Sequence, residues 1–313
     1  MTRALIFPGQ GSQAVGMGKA LAEAFPQARA VFEEVDAALS QRLSQVMWEG
    51  PAEELTLTAN AQPALMAVSL AALRVLEGEA GLDLQRDVAF VAGHSLGEYA
   101  ALAAAGSLSL TDTARLLRIR GNAMQNAVPV GQGAMAALLG LDEAVAQEVA
   151  REAAQGEVCD VANDNGGAQV VVSGHKSAVE RAVAIAPGKG AKRAVMLTVS
   201  APFHCALMRP AADAMREALA GVAVEAPAVP VVANVEAAPI TDPAAIRDAL
   251  VRQVTGTVRW RASVAWMAGA GVDTFVEVGS GKVLTRLVKR IAAGATATAI
   301  GTPDDIAAFK TRL

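Results

Sequence analysis

A serine lies between two glycines at the junction of a short apolar segment and an alanine-rich one. Gly93-His94-Ser95-Leu96-Gly97 fits the pattern G-x-S-x-G, in which the glycines permit a sharp turn from a strand into a helix and expose the hydroxyl. Such a serine can attack a carbonyl carbon and carry an acyl group. The helix N-terminus and the Leu96 amide can then stabilise an oxyanion. The alternative is a serine that only caps the helix, and the flanking glycines favour the nucleophile.

A serine nucleophile needs a base at neutral pH, and the chain has three histidines. His94 adjoins Ser95, and because adjacent side chains on such a turn point apart, we expect it to pack beneath the turn. His175 begins a predicted helix, where a polar residue needs no catalytic role. His204 lies in the irregular segment "SAPFHCALM", so elimination favours it as the base over the alternative of a hydrogen-bonded core histidine. No Asp or Glu after it stands out as the third member of a catalytic triad.

One arginine of the predicted helix over residues 112–127 falls on the apolar side of that helix. A rotation of about 100° per residue places Arg115 and Arg118 together and puts Arg120 in the middle of the apolar arc. A guanidinium keeps its proton, so it needs an anionic partner when it faces inward. Our first choice for that partner is an internal Asp or Glu, and the alternative is a substrate carboxylate held in bidentate fashion. Beside a reactive serine, the alternative indicates an acyl group with a free carboxylate.

The elements that must position these side chains alternate along the chain. Short apolar or β-branched segments are separated by alanine- and leucine-rich segments of helical length, which predicts an α/β fold on a mostly parallel sheet. The predicted strands are residues 4–7, 88–92, 229–234, 274–278 and 296–300. The predicted helices are residues 63–79, with Pro63 in the first turn, and residues 97–105, 112–127, 207–220, 244–254 and 283–293.

The middle third of the chain has a different pattern. Its predicted elements are strand 134–139, helix 143–155, strand 158–162, strand 170–173, helix 177–186 and strand 193–197. That βαββαβ order is typical of a ferredoxin-like unit. We therefore expect a small subdomain over residues 129–198, inserted into a large catalytic domain made of residues 1–128 and 199–313. Gly131, Gly133 and the turn before Pro202 are the expected hinges.

Composition excludes several classes of function. Of the 313 residues, 53% are hydrophobic, and the net charge is −4, with basic residues spread along the chain, so we expect no nucleic-acid binding. No uninterrupted apolar stretch approaches the ~20 residues of a membrane-spanning helix, and the N-terminal one is too short for a signal peptide. Cys159 and Cys205 match no metal-ligand or disulfide pattern. We therefore expect a cytoplasmic protein without a metal site.

Nine short motifs occur in order along nearly the whole chain. They are "FPGQGSQ" (7–13), "GPAEEL" (50–55), "QPAL" (62–65), "GHSLGEY" (93–99), "RG" (120–121), "VVVSGH" (170–175), "APFHCALM" (201–208), "VRQV" (251–254) and "VEVGSGKVL" (276–284). Together they resemble the malonyl-CoA:acyl carrier protein transacylases of bacterial type II fatty acid synthesis. The resemblance implies a hydrolase-like α/β domain with an inserted ferredoxin-like subdomain, and an active site in the cleft between them.

The resemblance also implies roles for particular residues. Ser95 would be the acylated nucleophile, His204 its base and Arg120 the group that binds the malonyl carboxylate. The main-chain carbonyl of Gln253 would orient the histidine in place of an aspartate, which agrees with the lack of a distinctive carboxylate. One departure follows, since residues 256–257 are Gly-Thr where relatives often have Asn-Pro or Ser-Pro.

Further expectations concern the acyl pocket. By the same resemblance, the backbone amides of Gln10 and Leu96 would form the oxyanion hole, and Gln62 would line the same pocket. Phe203 precedes the histidine where some relatives have serine. In related acyltransferases a phenylalanine at this place accompanies a preference for malonyl over methylmalonyl groups, because it crowds the α-carbon.

The implied reaction is a ping-pong transfer. Malonyl-CoA acylates the serine, and the phosphopantetheine thiol of acyl carrier protein then takes the malonyl group, with no bound cofactor and with a monomeric enzyme. The candidate basic residues for docking the acidic carrier protein are Lys282, Arg286, Lys289 and Arg290, although they could equally form an ordinary solvated helix face. The alternatives are a transacylase of a malonate decarboxylase or polyketide system, or a thioesterase-like serine hydrolase.

Overall fold

Two β-sheets organise the chain, of which the computed structural model describes residues 1–310. The strands are β1 (Arg3–Phe7), β2 (Phe90–Gly93), β3 (Gly133–Leu139), β4 (Cys159–Asp164), β5 (Gln169–His175), β6 (Arg193–Met196), β7 (Val231–Ala233), β8 (Ala238–Ile240), β9 (Thr274–Val278) and β10 (Thr296–Ile300). The α-helices are α1 (Lys19–Ala24), α2 (Pro26–Leu39), α3 (Leu43–Glu49), α4 (Ala52–Thr56), α5 (Thr58–Ala80), α6 (Leu84–Asp87), α7 (Gly97–Ala104), α8 (Leu110–Asn126), α9 (Glu143–Ala154), α10 (Lys176–Ile185), α11 (Arg209–Ala220), α12 (Pro243–Thr255), α13 (Trp260–Gly269), α14 (Val283–Ile291) and α15 (Pro303–Lys310). The predicted large domain runs to residue 313, so its last residues, 311–313, lie outside the described range.

The larger sheet has six strands in the order β10-β9-β1-β2-β7-β8. The first five are parallel, and β8 pairs antiparallel with β7 at one edge. Every residue of β1 is buried, as expected for a central parallel strand that is covered on both faces. Leu5 and Phe7 enter one apolar core, whereas Ala4 and Ile6 enter another on the opposite face. The sheet is therefore the middle one of three layers.

The smaller sheet is formed by one continuous stretch of the chain. Its strands pair antiparallel in the order β4-β5-β3-β6, and α9 and α10 complete the order βαββαβ. Alternate strand residues such as Val170 and Val172 pack with Ala146 and Val179 of the two helices in a separate core. A mostly parallel sheet with a ferredoxin-like unit inserted between its strands confirms the predicted fold class.

The small unit is held closely to the large one. A Cβ atom on Gly133 would lie 2.3 Å from the Pro202 ring, so only glycine lets the entering and leaving connections pass each other. The Asp164 amide donates to the Val258 carbonyl at 3.0 Å, and the Asp164 carboxylate lies 2.7 Å from Arg261 Nε. These contacts fix the width of the cleft between the two units.

Helix α5 differs from its prediction. It begins at Thr58, so Pro63 lies inside the helix and not in its first turn. The Asn60 and Ala61 amides both bond to the Leu57 carbonyl, so the first turn is complete before the proline removes one hydrogen bond. By length and composition α5 could cross a membrane, with a mean hydropathy of 1.2, but 89% of its most apolar window is buried in the protein. Its burial is that of a core helix.

Several elements were not predicted. They are the helices between residues 19 and 56, α6, α13, α15 and the edge strand β8. Helix α2 carries a readable signal, because its buried residues Ala28, Val31, Phe32 and Val35 have helical spacing. Strand β8 has only three residues and none of them is buried, so a hydrophobic pattern could not identify it.

Candidate active site

Ser95 occupies the tip of the turn between β2 and α7. Its φ is +54°, a left-handed conformation that is strained for a residue with a side chain. Cβ atoms on Gly93 and Gly97 would lie 1.9 Å from the Gly97 carbonyl and 2.3 Å from the Phe7 carbonyl oxygen, respectively, so neither position admits a side chain. Helix α7 begins at Gly97 with Leu96 as its N-cap residue. Ser95 is therefore not the helix cap, and the turn presents its hydroxyl instead.

His204 meets Ser95 from the irregular segment before α11, and we call this pair the reaction centre. Ser95 Oγ lies 2.7 Å from His204 Nε2, and His204 Nδ1 lies 2.9 Å from the main-chain oxygen of Gln253. Because a carbonyl oxygen only accepts, Nδ1 carries the proton and Nε2 accepts from the serine hydroxyl. Burial, followed by the charge of Arg120, lowers the pKa of His204 to about 3. The ring is therefore neutral at pH 7 and able to take the serine proton.

Arg120 projects from α8 toward the same hydroxyl and is 1% exposed. Its Nη1 donates to Gln62 Oε1 at 2.7 Å, and its Nη2 donates to Gln253 Oε1 at 2.8 Å and to Ser95 Oγ at 3.2 Å. All of these acceptors are neutral, and within residues 1–310 its Nε has no hydrogen-bond partner. No Asp or Glu of the described chain contacts the guanidinium, but while burial lowers the pKa of Arg120, the charge of the buried Glu98 acts to raise it, so the first choice of an internal carboxylate is met only by a charge that does not touch it. A buried positive charge without a contacting anion lies beside the reactive hydroxyl.

We call Arg120, Gln62 and Gln253 the selectivity site. The two glutamines project from α5 and α12, and both are buried. The Gln62 amide nitrogen donates to Thr58 Oγ1 at 3.0 Å, which leaves Gln62 Oε1 facing the guanidinium. The planes of the two amides and the guanidinium are therefore fixed by hydrogen bonds on both sides, as recognition of a planar carboxylate requires.

Two backbone amides border the space in front of Ser95. In the described part of the chain, neither the Gln10 amide nor the Leu96 amide donates to a protein acceptor, and both residues line the cavity. The Gln10 side chain is turned aside, since its Oε1 accepts from the Thr58 hydroxyl at 2.9 Å. Free N–H groups next to a nucleophile are what stabilisation of an oxyanion needs.

The cavity that contains these groups has a volume of about 420 Å³ and lies between the two units of the fold. The large unit contributes the reaction centre together with Gln62 and Arg120, and the small unit contributes Asn163, Asn165 and Met135. Phe203, the neighbour of His204, is half-buried and lines the cavity as well. A pocket of this size and mixed polarity is suited to a small acyl group and part of its carrier.

The other two histidines have structural contacts. His94 Nε2 lies 2.8 Å from Asn165 Oδ1, and its ring packs 5.7 Å from that of Trp260. It therefore links the turn to the small unit, but it is only half-buried and also lines the cavity, so the expectation that it packs beneath the turn holds only in part. His175 precedes α10, and its Nδ1 accepts from the Val158 amide at 2.9 Å.

Neither cysteine is reactive in this fold. Both are free and buried, and burial raises the pKa of Cys159 to about 12 and that of Cys205 to about 11. Their thiols therefore stay protonated at neutral pH. Within residues 1–310, no group of three or more His, Cys, Asp or Glu side chains could hold a metal ion.

Sequence reasoning missed two residues that shape the turn. Asn234, at the end of β7, accepts from the Ser95 amide at 2.8 Å and donates to the Gly93 carbonyl at 2.7 Å, so it holds both sides of the turn. The Glu98 carboxylate, in the first turn of α7, accepts a hydrogen bond from the backbone N–H of Asn234 at 2.9 Å. The available signals were a polar residue at the carboxyl end of a predicted strand and an acidic residue in the motif "GHSLGEY".

The candidate docking residues share a helix with residues that line the cavity. Lys282, Arg286, Lys289 and Arg290 are all exposed along α14 and at its start. Val283, Leu284 and Leu287 of the same helix line the cavity. One helix thus presents apolar residues to the cavity and positive charge to the solvent beside it.

Comparison with known proteins agrees with this geometry. A family model for the acyl transferase domain matches residues 4–309. The chain belongs to the acyl transferase family. Malonyl CoA-acyl carrier protein transacylase from Escherichia coli (strain K12) is 50% identical over 305 residues, which cover 97% of each chain. The resemblance drawn from the motifs is thereby confirmed.

Solved structures of acyl transferases share the whole fold. The crystal structure of an acyl-carrier-protein-S-malonyltransferase from Bartonella henselae matches with a TM-score of 0.97 and 59% identity, covering 100% of this chain and 99% of that one. A type II PKS acyl-carrier protein in complex with its malonyl-transacylase gives a TM-score of 0.96 at 42% identity, with complete coverage of both chains. The inserted antiparallel unit is therefore part of a fold known from malonyltransferases.

Proposed function

We propose that this protein transfers the malonyl group of malonyl-CoA to the phosphopantetheine thiol of acyl carrier protein and so supplies extender units for fatty acid biosynthesis. The observation that carries the proposal is the buried Arg120 guanidinium, which has no contacting anion and lies 3.2 Å from Ser95 Oγ. The names of the Escherichia coli and Bartonella henselae relatives support the same reaction.

The first half of the proposed reaction forms an acyl-enzyme. Ser95 Oγ attacks the thioester carbonyl carbon of malonyl-CoA while its proton passes to His204 Nε2. The carbonyl oxygen becomes an oxyanion, for which the Gln10 and Leu96 amides are the candidate donors. The tetrahedral intermediate then breaks its C–S bond, and the CoA thiolate leaves with the proton from the imidazolium. The product is a malonyl ester of Ser95.

The second half repeats the first with a different thiol. The phosphopantetheine thiol of the carrier protein gives its proton to His204 and attacks the ester carbonyl. The Ser95 alkoxide then leaves with that proton, so the enzyme returns to its starting state. No bound cofactor takes part, because the histidine alone moves the proton in both directions. Gln253 holds the ring for both steps through its carbonyl oxygen, in place of the carboxylate that serine hydrolases use.

Arg120 selects the acyl group in this proposal. A malonyl carboxylate bound to the guanidinium supplies the anion that the buried charge lacks, and the amides of the selectivity site hold the guanidinium in plane. An acetyl group offers no such anion. Phe203 faces the same cavity and restricts bulk at the α-carbon, which favours malonyl over methylmalonyl.

Acyl carrier protein is the proposed partner at the cavity mouth. The basic residues on α14 would meet its acidic surface, so that its prosthetic arm enters between the large domain (residues 1–128 and 199–313) and the small subdomain (residues 129–198). The complex of a related malonyl-transacylase with its acyl-carrier protein supports this pairing. We place the protein in the cytoplasm as a monomer.

The decisive experiment follows the acyl group. Protein incubated with malonyl-CoA should gain one malonyl group, which peptide mass spectrometry should locate on Ser95, and phosphopantetheinylated carrier protein should remove it. A Ser95→Ala variant is the matched control and should stay unmodified. Rapid release of free malonate at a rate that carrier protein does not change would instead establish a thioesterase-like hydrolase.

One relative favours a second pathway for the same chemistry. Because a malonyl-transacylase with a type II PKS carrier protein matches this chain at 42% identity, the protein could serve polyketide synthesis. Parallel assays with a fatty acid carrier protein and a polyketide carrier protein distinguish the two. We expect the higher kcat/KM with the fatty acid carrier.

A further inference from the structure

Glu98 is a completely buried carboxylate that the reaction described above does not use. It lies in the first turn of α7, three residues after the nucleophile, and is 0% exposed. Its Oε2 accepts two hydrogen bonds, one from the backbone N–H of Asn234 and one from the side-chain Nε2 of Gln253, each at 2.9 Å. Within residues 1–310, its Oε1 has no partner. Burial of a carboxylate is costly, so its two contacts call for an explanation.

The contact with Gln253 determines which way that amide faces. Gln253 Nε2 donates to Glu98 Oε2 and, at 3.0 Å, to the Ser95 carbonyl, while Gln253 Oε1 accepts from Arg120 Nη2. In the reverse orientation, the NH₂ group would face the donors of Arg120 and the oxygen would face two acceptors. Both changes leave buried polar groups unpaired or facing a group of the same kind, which is unfavourable in a buried site. Glu98 and the Ser95 carbonyl thus select a single orientation.

We propose that Glu98 is a positioning residue for the selectivity site, which acts through the Gln253 amide to hold the Arg120 guanidinium where it meets the substrate carboxylate. The inference rests on the proposed function, because it concerns recognition of the malonyl group. A chain of contacts carries it, from Glu98 Oε2 to Gln253 Nε2 and from Gln253 Oε1 to Arg120 Nη2. Glu98 itself touches neither the guanidinium nor the cavity.

This role does not depend on the charge of Glu98. Burial raises the pKa of Glu98 to about 7, against hydrogen bonds from Asn234 and Gln253 that lower it. A proton can reside on the partnerless Oε1, and Oε2 then still accepts both hydrogen bonds. The orientation of Gln253 is therefore the same in either protonation state. This separates a positioning role from a role as the counter-charge of Arg120.

Two substitutions at position 98 separate the contact from the charge. Glu98→Gln removes the charge but can keep both hydrogen bonds, because its amide oxygen can take the place of Oε2 and its NH₂ group that of Oε1. Glu98→Asp keeps the charge but withdraws the carboxylate by about 1.5 Å, one C–C bond, which takes it out of reach of Gln253. The readout is the ratio of kcat/KM for acylation by malonyl-CoA to that by acetyl-CoA, measured by quenched-flow mass spectrometry.

We expect Glu98→Asp to lower the malonyl-to-acetyl ratio about tenfold, the equivalent of one hydrogen bond to a charged group, and Glu98→Gln to retain the ratio within about threefold. An unchanged ratio in Glu98→Asp would mean that the residue only supports the fold, since a smaller folded fraction lowers both acyl groups equally. A larger loss in Glu98→Gln than in Glu98→Asp would assign the effect to charge. Either result overturns the proposal.

A double substitution tests the route through Gln253. Gln253→Leu should lower the same ratio, and Glu98→Asp in that background should lower it no further, because the two residues act in series. Additive losses contradict the proposal. If Glu98→Asp does not fold, Gln253→Leu and Glu98→Gln decide together: loss of the ratio in Gln253→Leu with a retained ratio in Glu98→Gln supports the proposal, and a retained ratio in Gln253→Leu or a tenfold loss in Glu98→Gln overturns it. The proposed function fails separately, if the wild-type protein forms no malonyl ester.

Discussion

The reaction centre and the selectivity site, which meet where Arg120 Nη2 lies 3.2 Å from Ser95 Oγ, are built in different ways. At the reaction centre, Ser95 and His204 both lie in irregular segments with left-handed backbone, at φ values of +54° and +58°. At the selectivity site, Gln62, Arg120 and Gln253 all project from long helices, α5, α8 and α12. The reaction centre thus consists of strained turns, whereas the selectivity site consists of regular helices.

The difference reflects the proposed roles of the reaction centre and the selectivity site. A nucleophile must protrude toward a substrate and toward several donors at once, which a sharp turn permits and a helix does not. A carboxylate-binding guanidinium must stay fixed in one plane, which packing among helices ensures. Changes at the reaction centre should therefore affect every acyl group alike, whereas changes at the selectivity site should affect only acyl groups with a carboxylate.

The largest effect is expected from His204→Ala. Loss of the base should slow acylation of Ser95 about 10³-fold, and by the same factor for malonyl-CoA and acetyl-CoA. Quenched-flow mass spectrometry gives both rates, and circular dichroism checks that the variant folds. A loss confined to malonyl-CoA would contradict the proposed division of roles between the reaction centre and the selectivity site.

Arg120→Ala should have the next largest effect and the opposite selectivity. Removal of the guanidinium should lower kcat/KM for malonyl-CoA about 10²-fold, because truncation of a buried charge pair costs roughly 2–5 kcal/mol, while acetyl-CoA changes little. Arg118→Ala is the matched control on the same helix, since Arg118 binds Gln41 away from the cavity and its loss should leave both rates unchanged. Equal losses for both acyl groups in Arg120→Ala would make that arginine structural.

Burial of His204 should also affect how the free energy of unfolding depends on pH. The pKa of His204 is lowered to about 3 from its ordinary value of 6.5, so below pH 6.5 the unfolded chain takes up a proton that the folded protein does not. The contribution of His204 to the free energy of unfolding should therefore fall as pH decreases from 6.5 to 5, whereas that of Glu98, whose pKa is raised to about 7, changes in the opposite direction. The slope of the free energy of unfolding against pH should be smaller in His204→Gln by roughly 1 kcal/mol per pH unit. Urea unfolding at several pH values measures this, and identical slopes would show that folding leaves the pKa of His204 unchanged.

The smallest effect is expected from Phe203→Ser. Phe203 touches the cavity beside His204 but belongs to neither group of polar residues. Removing its ring should raise acylation by methylmalonyl-CoA relative to malonyl-CoA by roughly fivefold, since one methyl group in a pocket is worth about 1–3 kcal/mol. Competition between the two thioesters gives the ratio directly. No change would show that the α-carbon of the acyl group does not approach this ring.

Local sequence was enough to predict that Ser95 and His204 form a pair, and the structure places them 2.7 Å apart. The pattern around Ser95 depends on backbone geometry within five residues, and the two other histidines could be set aside by their positions. The helical spacing of α8 placed Arg120 on the buried face, because periodicity reports burial. It did not reveal that neutral glutamine amides contact Arg120 and that the internal carboxylate, Glu98, acts directly on it only through its charge.

The sequence by itself therefore determined the α/β class, the inserted βαββαβ unit, the exposed turn at Ser95 and the inward direction of Arg120, because each follows from the order or spacing of neighbouring residues. Only the tertiary structure decided which residues connect the reaction centre to the selectivity site. Glu98 and Gln253 are 155 positions apart in the chain, and Asn234 and Ser95 are 139 apart. Contacts of that range arise from the packing of α7, α12 and β7 around the sheet, which no local pattern encodes.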